Sequence, residues 1–475
     1  MLPLTEITMD SGQGMIWELS EVLAATGGRT NLDRALRFHS IVTDSRAVRP
    51  GALFVALRGQ RFDGHDFVAE ALAHGALAAL CERPVAAAPD RCILVPDTLR
   101  ALGDLAGWTR RREGWRVVGI TGSAGKTTTK ELAAAVCTQG LGAERLVLKT
   151  RENFNNLIGL PLTILGATGE ERVAVLEMGM NRPGEIRRLA QIAAPNIGLI
   201  TNIGLAHAEG VGGTIAHVAR AKGELLEALE SDDVFVLNLD DEWVCRLAQD
   251  CRARCVTYGR GGDVQAHWIR DLGPDGARFE LDVLGQKTEV HLNLVGTHNV
   301  SNALAAAAVG LAMGFRVEVI ASGLCGCGVE LAGRMKVERL RNEVTVIDDT
   351  YNANPSSVEA ALRALRRFSG RRLVVLGEMR ELGGESRRAH RAIGEYAASL
   401  EMDLLILVGP LTEAVAEGAL HAGFPAERVI ACGSHDEAAR TVARHWQAGD
   451  TVLVKGSHSL HMEEVVHKLR ELGNA

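Results

Sequence analysis

The stretch GITGSAGKTTTKE, Gly119 to Glu131, constrains this chain more than any other. It follows a short β-branched run, RVVGIT, and opens a helical one, KTTTKELAAAVCTQG, so it reads as strand, glycine loop and a helix that Gly140 closes. Gly122 and Gly125 let the loop curl until its N–H groups, those of Ser123 and Ala124 among them, converge on phosphate oxygens at the helix N-terminus. Lys126 then reaches the β- and γ-phosphates and Thr127 faces a Mg²⁺ ion. One position breaks the general phosphate-loop spacing: Ile120 stands where the first glycine is expected.

Around that loop the sequence predicts a doubly wound parallel sheet. Buried strands recur at VAVLEMG and IGLITNIG, separated by helical segments. Within the same region ARFELDVLGQKTEVHLNLVG alternates strictly and predicts an antiparallel hairpin turning near Gly285. Before residue 97 short apolar strands (ALFVAL, CILV) mix with an alanine-rich helical stretch, HDFVAEALAHGALAAL, which indicates a small α/β unit. After about residue 332 five strands (VTVIDD, RRLVVLGEM, LLILVG, RVIACG, TVLVKGS) alternate with helices as a separate α/β domain. Its first helix has Asn354 as N-cap, Pro355 at the first helical position, Val358, Leu362, Leu365 and Phe368 on one face, and Gly370 past its end. A chain of 475 residues exceeds what one core supports, and the division expected is 1–96, 97–331 and 332–475.

Other classes are disfavoured by composition. A net charge of -7 argues against nucleic acid as a partner. Nine cysteines without a C-x-x-C pattern read as free thiols of a reducing compartment. The first residues carry neither a basic nor an apolar leader signature, and NALAAAAVGLAMGF is too short to span a bilayer, so a soluble, cytoplasmic protein is expected.

A phosphate loop needs an acid at a neighbouring strand end to hold the metal, and VAVLEMG supplies Glu177 there. TNIGLAH places His207 beyond a third strand end, either as a second ligand or as a structural residue. In GTHNVSNALAAAAVG, Asn299 and Asn302 either cap a helix or offer an amide to an adenine edge. IDDTYNANP ends a strand of the last domain with Asp348 and Asp349, a natural place for ribose or phosphate contacts if that domain closes over the nucleotide.

Taken together, Thr121, Gly122, Gly125, Lys126, Thr127 and Thr128, with EMG, NIGLAH, AKGE, GTHNVSNALAA, GRM and DDTYNANP in the same order, resemble the Mur ligase family of ATP-dependent amide-forming enzymes. That family's loop is similar to T-G-x-x-G-K-T-T, which accounts for Ile120. TDSRAVRPGALFVALRGQRFDGHDF, NFNNLIGLPLTIL, GEMRELGGES and VLVKGSHS are most similar to the branch that joins D-alanyl-D-alanine to UDP-N-acetylmuramoyl-tripeptide. The resemblance implies an acyl-phosphate route in three domains, with ATP and Mg²⁺, acting as a monomer. Ligation of one Mg²⁺ by Thr127 and Glu177 and of another by His207 is implied in the same way. Lys222 is implied as a carbamate, Arg334 and Asp349 as nucleotide contacts from the last domain, and Asn299 as a neighbour of the adenine. The UDP end falls to Thr43, Ser45, Arg46, Gly59, Asp63 and His65, and the peptide-sugar to Asn155 and Asn156. His458 departs from the arginine usual in relatives, and CGCGVELAGRM is also unusual. The alternatives are a relative that adds a single amino acid to a UDP-peptide or glutamate to a folate, and a P-loop protein that uses ATP as a switch.

Overall fold

The computed structural model describes residues 14–59, 61–327 and 333–474. The chain is α/β throughout and builds three principal sheets. The first has four parallel strands in sequence order, Ser40–Val42, Ala52–Val55, Ala78–Cys81 and Cys92–Leu94. The third of these corrects the sequence reading. The alanine-rich stretch is helical only over Val68–Ala73; Gly75, at φ 107°, turns the chain, and ALAALC continues as a buried strand. Alanine's helix propensity yields there to burial on both faces.

The central sheet has nine strands. The strand Arg116–Thr121 lies between Val173–Glu177 and Ile197–Ile200, all parallel, with Val147–Lys149 beyond the former and Val234–Asn238 then Arg254–Tyr258 beyond the latter. Three more strands finish that edge. The expected hairpin is present, Ala277–Val283 against Gln286–Leu292, turning through Leu284 and Gly285, both at positive φ. Val264–Asp271, which the sequence did not betray, pairs antiparallel with the first arm. The helix after the phosphate loop runs Lys126–Leu141 and is closed by Gly142 at φ 81°; Gly140 stays inside it, against the Phe315 ring.

The last sheet contains the five expected strands in parallel, Thr345–Asp349, Arg372–Gly377, Leu404–Val408, Val429–Cys432 and Thr451–Lys455, plus an antiparallel edge strand, Lys336–Arg339. Asn354 caps the first helix, Pro355–Leu365, in a reciprocal bond with Ser357. That helix ends before Phe368, and Gly370, at φ 74°, belongs to the turn that follows. Residues 1–13, the expected boundary at 331/332 and part of CGCGVELAGRM lie outside the described residues. No helix among the described residues is long and apolar enough to cross a membrane, and Cys81, Cys92, Cys137, Cys245, Cys251, Cys255, Cys325 and Cys432 are free thiols.

Candidate active site

A cleft of about 970 Å³ runs between the central and last sheets, lined by the phosphate loop, Glu177, His207, Asn299, Arg334 and Asp349. The loop is shaped by its neighbours. Gly122 sits at φ 149°, and a Cβ there would fall 1.9 Å from Thr201 Oγ1; one on Gly125, at φ 77°, would fall 2.3 Å from Asn302 Oδ1. Only glycine fits either place. Asn202 grips Ala124 from both sides, accepting from its N–H at 2.9 Å and donating to its carbonyl at 3.1 Å, while Ser123 Oγ donates to Gly204 O at 3.0 Å.

Asn299 and Asn302 do not cap their helix, His298–Ala312. Asn299 donates to Val295 O at 2.8 Å and accepts from Asn302 Nδ2 at 2.9 Å, and Asn302 accepts in turn from Thr129 Oγ1. The pair braces the loop from behind, with Asn299 also on the cleft wall.

Thr127 Oγ1 donates to Glu177 Oε2 at 2.8 Å and accepts from Arg334 Nη2 at 2.7 Å. Asn155 Nδ2 donates to the other Glu177 oxygen at 2.8 Å, so this nearly buried carboxylate is fixed at both ends. The Arg334 guanidinium lies 3.9 Å from the centre of the Tyr351 ring. Lys126 Nζ donates to Gly122 O at 2.9 Å; burial depresses its pKa, with Glu177 opposing and Arg334 reinforcing. Lys222 is fully buried and its Nζ has no hydrogen-bond partner among the described residues. Burial and then Lys126 hold its pKa well below the usual lysine range, against the pull of Glu177. An unpaired ammonium there would cost several kcal/mol, about what breaking a buried ion pair costs, so burial favours the uncharged amine.

His207 Nδ1 lies 2.5 Å from Glu381 Oε2 of the last domain. Contact with His207 lowers the Glu381 pKa. Both residues are left-handed, at φ 58° and 65°, a conformation costing non-glycine residues about 1–2 kcal/mol each. Asp349 is buried with Lys455, Oδ2 to Nζ 2.6 Å; burial nonetheless raises its pKa.

Asn156 accepts from the N–H groups of Ile158 and Gly159, opening the helix Gly159–Leu165, and Asn155 and Asn156 both line the cleft. The six residues expected at the UDP end do not line it; they lie in the segments that follow the first two strands of the first sheet. Arg46 forks onto Asp44, and Ser45 is buried between Asp44 and Arg46. Thr43 is half-buried beside them, and Gly59 bonds across a turn to Phe62 O. His65 has both ring nitrogens occupied: Nε2 accepts from Glu82 N, so Nδ1 carries the proton and donates to Asp63 at 2.6 Å. Burial works to raise the Asp63 pKa, but His65 and Arg83 outweigh it and the net shift is strongly downward. Sequence reasoning gave no role to Thr201, Asn202, Tyr351, Glu381 or Lys455. The signal was present in the strings TNIGLAH, DDTYNANP, GEMRELGGES and VLVKGSHS, whose pieces meet only in three dimensions.

Three family models cover the chain in order: Mur ligase family, catalytic domain, over residues 37–109; Mur ligase middle domain, over 120–310; and Mur ligase, glutamate ligase domain, over 333–458. UDP-N-acetylmuramoyl-tripeptide--D-alanyl-D-alanine ligase of Bacillus subtilis is 37% identical across 91% of this chain and 93% of its own. The enzyme of that name from Escherichia coli is 36% identical across 91% and 94%. Among solved structures, MurF of Acinetobacter baumannii superposes with a TM-score of 0.89 at 34% identity, covering 97% of this chain and 100% of its own. MurF ligase of Thermotoga maritima in complex with ADP gives 0.80 at 31%, covering 91% and 97%. By sequence over nearly its whole length and by all three of its domains, the chain belongs to the Mur ligase family.

Proposed function

We propose that this protein joins D-alanyl-D-alanine to UDP-N-acetylmuramoyl-tripeptide with cleavage of ATP to ADP and phosphate. The observation that carries the reading is the likeness, over nine-tenths of the chain, to ligases bearing that name, with the phosphate loop and its acid in place. The peptide's terminal carboxylate attacks the γ-phosphate, ADP leaves, and the acyl phosphate is attacked by the dipeptide amine. The tetrahedral adduct loses phosphate to give the amide.

Two anions meet in the first step, so charge neutralisation dominates. The loop amides and Lys126 hold the β- and γ-phosphates, and Arg334 brings a second cation from the last domain. Asn299 borders the adenine and Asp349 the ribose. The residues fit Mg²⁺: a hydroxyl and a fixed carboxylate, Thr127 and Glu177, at 2.8 Å, suit an ion that takes one or two carboxylates and completes its octahedron with phosphate and water. When bound, the ion supplies Lewis-acid neutralisation of the transferring phosphoryl group. His207 would hold a second ion on leaving Glu381. Lys222, buried and unpartnered among the described residues behind the cleft wall, suits carbamylation by CO₂, which would turn it into an anion near Lys126 and Glu177. Thr43, Ser45, Arg46, Gly59, Asp63 and His65 form the UDP end, His65 acting through Asp63, and Asn155 and Asn156 face the peptide-sugar. We place the enzyme in the cytoplasm, where ATP is available, as a monomer.

The test is phosphate release from ATP and Mg²⁺ with the UDP-tripeptide, with and without the dipeptide, and the mass of the product. Dipeptide-dependent release with the matching mass gain is expected; release indifferent to the dipeptide refutes the substrate assignment and favours a P-loop switch or a single amino acid as acceptor.

A further inference from the structure

The acceptor in the reading above is a zwitterion whose amine must reach the acyl phosphate while its carboxylate is held elsewhere, and this inference rests on that reading. The cations facing the cleft from the last domain are mostly committed. Arg334 is on Thr127 and Tyr351, Lys455 is buried against Asp349, and Lys336 is also engaged. Arg380 remains. It is on the cleft wall beside Ser457 and His458, and its side chain is 50% exposed.

Its placement is built. Glu378, 1% exposed, accepts from Arg380 Nε at 2.8 Å and lies 2.8 Å from Nη2; its second oxygen accepts from Leu411 N at 3.1 Å. The Arg380 N–H donates to Ser457 Oγ at 2.8 Å, tying the segment to the loop after the strand Thr451–Lys455. The guanidinium is thereby fixed along one edge, and Nη1 has no partner among the described residues. A planar fork held in this way suits a carboxylate. The next residue, Glu381, carries the opposite charge on the reaction side, touching His207. It repels the acceptor's carboxylate and attracts its ammonium, so the pair would orient the dipeptide amine inward.

We infer that Arg380 anchors the C-terminal carboxylate of the acceptor dipeptide. The test compares kcat/KM for D-alanyl-D-alanine and for its C-terminal amide in the wild type, Arg380→Gln and Arg380→Lys. Charge-assisted bonds of this kind give the wild type a preference of about 10- to 100-fold for the free carboxylate. Arg380→Gln should reduce that preference to within about threefold through loss on the carboxylate form, and Arg380→Lys should keep part of it because it keeps the charge. A wild type indifferent to the amide, an Arg380→Gln protein that keeps the full preference, or equal loss on both acceptors overturns the inference. A wild type with no dipeptide-dependent phosphate release refutes the reaction itself and the anchor with it.

Discussion

The buried pair of Asp349 and Lys455 gives the sharpest energetic prediction. Both side chains are almost wholly enclosed, and Nζ sits 2.6 Å from Oδ2 and 2.8 Å from Asn352 O, while Asp349 Oδ1 accepts from Met335 N at 3.2 Å. Lys455→Met leaves a carboxylate buried and unpaired, which costs about 3–5 kcal/mol. Replacing both residues, with Asp349→Leu added, removes the stranded charge. Two backbone groups then lack partners, at about 1 kcal/mol or a little more each, so the double variant lies only about 2–3 kcal/mol below wild type. The second substitution should therefore restore about 1–2 kcal/mol, a rise of roughly 2–8 °C in the midpoint of the last domain. Calorimetry on the full chain reads this directly. The sign of the pH dependence is also fixed. Burial already raises the Asp349 pKa, and loss of Lys455 raises it further. A raised carboxyl contributes stability below its unfolded pKa that is lost as pH rises through the folded one, so the single variant's deficit should narrow as the pH is lowered toward the unfolded carboxyl value. A double variant no more stable than Lys455→Met, or a deficit that widens on acidification, would refute the account.

Other perturbations act on the phosphate site. Gly125→Ala puts a methyl 2.3 Å from Asn302 Oδ1 on a left-handed backbone; ATP affinity measured by calorimetry should fall by about tenfold or more, from strain of about 1–2 kcal/mol plus the displaced asparagine. Glu177→Gln keeps the shape and removes the charge, so the Mg²⁺ concentration for half-maximal phosphate release should rise steeply, by about tenfold or more. Lys222→Ala should abolish activity, with partial return on adding a small carboxylate such as acetate; normal activity in that protein would remove the carbamate from the mechanism.

The sequence was most legible where one residue type has one physical use. Gly122, Gly125, Lys126 and Thr127 declared the loop because left-handed backbone and phosphate charge leave few substitutes, and Asn354-Pro355 declared its helix in the same way. It was least legible where burial overrode local preference. Ala78–Cys81 is a strand because it fills the middle of a sheet, which no propensity records, and the strand Val264–Asp271 and the edge strand Lys336–Arg339 carry half-exposed, charged patterns that also suit loops. Asn299 and Asn302 were visible as important, yet their task is to support Gly125 from another strand's helix. Glu381 and Arg380 could be quoted as part of a string and assigned nothing, since their partners, His207 and Ser457, lie far away in sequence.

The odd spacing of the loop has a structural cause that links it to the metal acid. Ile120 is fully buried and pairs in register with Glu177, its carbonyl accepting from Met178 N at 2.8 Å, while Thr121 pairs with Ile200. The central strand therefore stays in the ladder through the position where other phosphate loops already turn on glycine, and a glycine there would lose packing and add chain entropy without a turn to make. Turning is deferred to Gly122, against Thr201. The consequence is that three strand ends finish level: one delivers Thr127, one Glu177, and one the TNIG segment that clamps Ala124. At that level Thr127 Oγ1 donates to Glu177 Oε2 at 2.8 Å, so the loop hydroxyl and the strand-end carboxylate meet with Ile120 still in the ladder.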